Sequence, residues 1–201
     1  NQDKNPKDPL SISKMHKNKS LHSIEIYILK TLYVRFIENK NIKVYKDDIL
    51  FNRRCISLSW IKPEHLNISD EVFDETILEK IKYNIERMEE MRTPEDMLKE
   101  FGISVQLVNS LFIFMLDRTD TEAGDLLPLI IYVIIIARPK RIIFNVKFIE
   151  YFMEKNILMG NYGYSLTQAK SAITFIQQLN GKKLNMTEEE FNDNCLTSEE
   201  L

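Results

Sequence analysis

The chain has 201 residues, of which 44% are hydrophobic and 28% charged, an ordinary globular composition at a length that suits one domain or a domain with a small helical subdomain. A formal net charge of -3 without a basic face excludes phosphate-backbone binding as the default, so no nucleic-acid partner is expected. Five Gly and six Pro are too few for the frequent turns of a β-sandwich or barrel.

Residues 1–19 carry Lys4, Lys7, Lys14, Lys17 and Lys19 among few apolar groups and read as a flexible linker. Ile24, Ile28, Leu32 and Phe36 then repeat at i+4 and predict a helix over 21–37. Asp47 and Asp48 suit the positive end of a shorter helix that runs to about Leu58, and Pro63 ends it. Ser69 or Asp70 suits a cap for the next helix, with Ile77, Ile81, Ile85 and Met88 as its apolar stripe and Glu86, Glu89 and Glu90 as a solvated face.

Thr93-Pro94-Glu95-Asp96 combines a capping hydroxyl, Pro at the first helical position and acids in the first turn, so a helix starts there. Its stripe is Leu98, Phe101, Val105, Val108, Phe112 and Met115, with a possible break at Gly102. Residues 117–124 read as a polar connection. The apolar run 126–137 is shorter than the roughly 20 residues that span a bilayer, so no transmembrane segment is expected and this helix belongs at the centre of a core. Another helix covers about 142–153, a loop with Gly160 and Gly163 covers 154–165, and the last core helix starts near Thr167. After Leu179 the chain turns acidic, and Thr187 and Glu190 have capping-box spacing, so residues 181–201 read as a polar tail or a short docking helix. The expectation is about seven helices and no sheet.

His16, His22 and His65 lie far apart, so no metal site is expected, and Cys55 and Cys195 suit reduced thiols inside a cell. The chain begins on Asn1, which reads as a piece of a longer protein without a signal peptide.

Two stretches carry a family resemblance. One is Ser59-Trp60-Ile61-Lys62-Pro63-Glu64-His65-Leu66 with Thr93-Pro94-Glu95-Asp96-Met97-Leu98. The other is Gly124-Asp125-Leu126-Leu127-Pro128 and its apolar continuation, then Asn145-Val146-Lys147-Phe148-Ile149, then Gly163-Tyr164-Ser165-Leu166-Thr167 and Ala172-Ile173-Thr174-Phe175-Ile176. In order and spacing residues 20–180 resemble the Vps-nine domain family with its preceding helical bundle.

The resemblance implies an all-α fold, with a helical bundle over 20–92 packed on a layered helical exchange core over 93–180. It implies a guanine-nucleotide exchange factor for GTPases of the Rab-five subfamily, cytoplasmic and peripheral to early endosomes, with membrane recruitment through flanking regions. Such a protein needs no cofactor and performs no covalent chemistry of its own. An acid near the start of the apolar helix reaches the phosphate site of the GTPase, competes for its lysine and displaces Mg²⁺. Pro128, Tyr164, Thr167 and Asn145 match family positions that imply GTPase contact. The family acid stands four residues before the proline, where this chain has Gly124, so Asp125 is the shifted candidate. The alternative function is a Rab-binding module without exchange.

Each of these residues also has a purely architectural role open to it. Asp125 suits an N-cap and Pro128 the first turn of the helix. Tyr164 suits a loop anchor, Thr167 an N-cap, and Asn145 a bond across a helix contact.

Overall fold

The computed structural model describes residues 9–39, 43–69, 72–115 and 123–199. Lys4 and Lys7 of the expected linker, the candidate cap Asp70, and residues 117–122 of the polar connection lie outside them. Among the described residues the order is α1 (Pro9–Glu38), α2 (Lys43–Ser57), α3 (Glu75–Met88), α4 (Pro94–Met115), α5 (Ala123–Ala137), α6 (Ile142–Phe152), α7 (Asn161–Gln177) and α8 (Glu188–Glu199), with 3-10 turns at Pro63–Leu66 and Gly181–Leu184 and no strand.

α1 begins at Pro9, ten residues before the end of the expected linker, with proline at the first helical position, where its missing N–H is harmless. The i+4 row that marked this helix turns outward, and Ile24, Ile28 and Phe36 are exposed. The i+4 row one residue along, Leu29, Tyr33 and Ile37, faces the body instead. Tyr33 decides this choice. Its ring packs on Phe144 and Phe148 at 5.4 and 5.2 Å, and its hydroxyl donates to Asn145 Oδ1 at 2.9 Å. A buried tyrosine needs such a partner for its hydroxyl.

α4 starts as expected. Thr93 Oγ1 accepts from the Asp96 N–H at 3.2 Å and donates to Asp96 Oδ2 at 2.7 Å. The helix then runs through Gly102 without a break. Its buried face packs along α3, and one apolar core joins Tyr33 of α1 to Cys195 of α8, passing through both sides of position 92. α5 lies in the middle of it: no residue from 125 to 137 is exposed, and Leu129, Val133, Ile134 and Ile135 have no accessible surface. Such an all-round apolar helix must be wrapped by others.

The C-terminal segment is a docked helix. Thr187 Oγ1 caps it by accepting from Glu190 N at 3.2 Å, and Phe191 packs edge-on against Trp60 at 5.8 Å and beneath the Arg54 guanidinium at 5.4 Å. Arg54 also donates to the carbonyls of Ile176 and Leu179, which ties the end of α7 to α2.

The N-terminus of α6 is held by acids from two other helices. Asp48 of α2 is buried, and its carboxylate accepts from the N–H groups of Ile143 at 2.8 Å and Phe144 at 3.3 Å. Glu89, at the end of α3, accepts from the Arg141 N–H. So Asp48 caps a partner helix instead of opening its own, and Glu89 is not part of a solvated face. The first amides of a helix need acceptors when they are buried, and here the sequence supplies them from 52 and 95 positions away. α3 takes its own cap from Asp74, whose Oδ1 accepts from Ile77 N at 2.9 Å.

Candidate functional site

The site residues lie on two helices that pack side by side, α5 and α7. α5 begins at Ala123, so Gly124 and Asp125 occupy its first turn and Pro128 its second. Asp125 is therefore inside the helix and is not its N-cap, and Pro128 does not start it. Proline lacks an N–H, so the carbonyl of Gly124, four residues earlier, receives no helical hydrogen bond from position 128. Gly124 is exposed, and a side chain built there meets nothing within 4 Å. Asp125 and Pro128 are half-buried.

α7 begins at Asn161, six residues earlier than the spacing of the sequence suggested, after Gly160 with φ 87°. That left-handed backbone is a glycine conformation. Tyr164 is thus helical, not a loop anchor, and its amide bonds to the Gly160 carbonyl at 3.0 Å. Thr167 is not an N-cap: its hydroxyl donates back to the Gly163 carbonyl at 2.8 Å and stays exposed. Gly163 has a steric reason, since a Cβ there would stand 1.9 Å from the Leu158 carbonyl oxygen.

Two depressions flank the α5–α7 contact. One, of about 350 Å³, is lined by Leu126, Tyr164 and Ser165 together with Gln106 and Asn109 of α4 and Asn161 of α7. The other, of about 450 Å³, is lined by Leu127 and Thr167 together with Lys170, Thr174, Phe175 and Lys183. The two leucines that follow Asp125 therefore open onto the two expected α7 side chains. Tyr164 is 39% exposed, which is enough to offer its ring to a partner. Lys183 Nζ sits 4.9 Å from the Phe175 ring centroid and gives the second depression a cationic edge.

Asn145 does not join this surface. It has no accessible area, accepts from Tyr33 and belongs to the core beneath α1. The sequence reading passed over Gln106 and Asn109. Their i, i+3 spacing in the mostly apolar second half of α4 is the signal that could have marked them as a face turned to water. Among the described residues no group of His, Cys, Asp and Glu could hold a metal.

A family model described as "Vacuolar sorting protein 9 (VPS9) domain" matches residues 78–181, just over half of the chain, from within α3 onward. The chain is 29% identical over 180 residues to the "Rab5 GDP/GTP exchange factor" of Homo sapiens, covering 86% of this chain and 36% of that protein. It is 25% identical over 174 residues to "Vacuolar protein sorting-associated protein 9A" of Arabidopsis thaliana, covering 85% and 34%. Vps901 of Schizosaccharomyces pombe matches at 25% over 151 residues, covering 73% and 25%. The chain thus spans about a third of the length of the first two of these relatives. With an all-helical fold, an apolar central helix and the matched range lying across α3 to α7, the chain belongs to the VPS9 domain family.

Proposed function

We propose that this domain is a guanine-nucleotide exchange factor for endosomal Rab GTPases of the Rab-five subfamily. A GTPase holds its nucleotide through Mg²⁺ and a lysine on the phosphates. A protein that binds the nucleotide-free form better shifts the population toward it. It needs an apolar surface for the mobile switch segments and one negative charge for the lysine left without phosphate. It needs no nucleophile, because no bond in a substrate changes.

The observation that carries this reading is the joint opening of the first turns of α5 onto Tyr164 and Thr167. Asp125, which precedes Leu126 and Leu127 of the two depressions in sequence, supplies the charge, and Pro128 keeps the Gly124 carbonyl out of the helical ladder. Tyr164 supplies an aromatic anchor of the kind that dominates interfaces. Asn145 contributes from beneath, by fixing α6 against α1. The names of the human and plant relatives support exchange and vacuolar sorting as the setting. The protein then works in the cytoplasm, peripheral to early endosomes, recruited through regions outside this chain.

A second reading is favoured by one specific observation: position 124, four residues before Pro128, is glycine. On that reading the domain binds a Rab without speeding exchange. Release of fluorescent GDP from a panel of Rab proteins separates the two. Acceleration with Rab-five relatives and not with distant Rabs supports the exchange factor. Binding without acceleration supports the module, and neither binding nor acceleration for any Rab sinks both.

A further inference from the structure

We propose that the pocket between α1, α2 and the α5–α6 turn is a second docking site, made for a short acidic peptide segment that inserts one bulky apolar side chain. The pocket holds about 540 Å³ and shares no lining residue with the two depressions beside α5 and α7. Its wall is mainly apolar, formed by Phe36, Ile37, Ile49, Ile56 and Phe144. A cavity of that size and character is of the kind that takes a ligand group. Phe36, Tyr45 and Ile49 stand exposed at its mouth, and Leu50, 63% exposed, continues the apolar surface along α2.

The exposed charged residues that line this pocket are cationic. Arg53 and Lys140 line it, and neither forms an ion pair among the described residues. Lys43 and Lys46 lie exposed on the same outward side of α2 as Leu50 and Arg53, by the i+3 and i+4 spacing of 43, 46, 50 and 53. The acids of α2 are engaged elsewhere: Asp47 pairs with Lys147 at 3.2 Å and Asp48 holds the α6 amides. Glu38, exposed at the end of α1, does not line the pocket. Arg141 at the pocket wall has a buried Nε without a hydrogen-bond partner, although its Nη2 donates to the Glu89 carbonyl.

Shape selects a peptide over a membrane. A bilayer surface is broad and offers no single protruding group to fill an enclosed hollow, whereas a side chain on an extended or helical segment does. Acidic neighbours on that segment would meet Arg53 and Lys140 and steer its approach.

The test is selection of a phage-displayed library of random 12-residue peptides on the wild-type chain, with removal of phage that bind Ile49→Glu. The expected result is enrichment of sequences with a large apolar residue flanked by Asp or Glu. Synthetic peptides from that pool should lose at least tenfold in affinity for Ile49→Glu and, independently, for Arg53→Glu/Lys140→Glu. They should bind Tyr164→Ala as they bind wild type. All these positions except Tyr164 border the pocket, and Ile49, Arg53 and Lys140 are exposed, so circular dichroism should be unchanged. No enrichment, a basic or charge-free consensus, or equal binding to the pocket variants overturns the proposal. So does the membrane result, in which vesicles of 30% phosphatidylserine in phosphatidylcholine sediment the wild type but not the pocket variants while no peptide is enriched.

Discussion

The N-termini of α5 and α6 both carry acids and differ in what the acids do. At α6, Asp48 and Glu89 come from other helices, are drawn into the body and spend their charge on the Arg141, Ile143 and Phe144 amides. At α5 the acid is the helix's own, half-buried Asp125, next to an exposed glycine with open space where its side chain would be. All three acids gain from a helix dipole. The difference teaches that a carboxylate at a helix start is drawn inward when buried amides of another helix require it, and stays nearer the surface when it belongs to the helix it opens.

The largest effect should come from removing the architectural acid. Asp48→Ala leaves the amides of Ile143 and Phe144 buried without an acceptor and should cost about 2–4 kcal/mol in urea unfolding. Asp48→Asn keeps one acceptor and should cost less. The same site gives a pH signature. Burial, outweighing the two amide bonds, pushes the Asp48 carboxyl up to about 7. A folded pKa above the unfolded one means that folding takes up a proton in between. The stability tied to that proton is fully present below the usual carboxylate range and is lost as pH rises through 7. Unfolding midpoints of the wild type should therefore fall between pH 5 and pH 8, and Asp48→Asn should flatten that slope. A slope that Asp48→Asn leaves unchanged would assign it to another group.

On the other side of the comparison, stability should hardly move. Tyr164→Ala should weaken association with a responsive Rab by more than about 1 kcal/mol in calorimetry while leaving the unfolding midpoint nearly unchanged. Loss of fold in this variant would make Tyr164 architectural, like Asp48. The smallest stability change belongs to Gly124→Asp. An exposed first-turn site with nothing within 4 Å should accept the carboxylate with a gain or loss below about 0.5 kcal/mol, and exchange should be kept or raised. A large destabilisation there would show that the α5 terminus is as closed as that of α6.

This comparison was only half legible in the sequence. Local chemistry announced the start of α4, because Thr93, Pro94 and Asp96 lie within one turn and need nothing from elsewhere. The central helix was legible because its apolar run has no polar face to expose. The outward turn of Ile24 and Ile28 was not, because α1 has two apolar rows, and a hydroxyl bond across 112 positions selects between them. The roles of Asp48 and Glu89 were equally hidden, since their acceptors serve a helix far along the chain. In α7 the glycines suggested a loop. One of them caps the helix and the other lies where a neighbouring carbonyl leaves no room for a side chain, a close approach that only the folded chain reveals. Of the candidate site, Tyr164 shares a depression with Leu126, Thr167 shares another with Leu127, and Asn145 went to the core.

The central claim, that Asp125 of α5 acts on a GTPase, is tested most directly by GDP release from a responsive Rab with wild type and Asp125→Ala side by side, alongside binding of the nucleotide-free Rab to each. The account predicts that Asp125→Ala loses most of the acceleration, at least tenfold, while staying folded by circular dichroism and keeping much of the binding. Equal acceleration by the two proteins would contradict it and leave the acid to be found elsewhere.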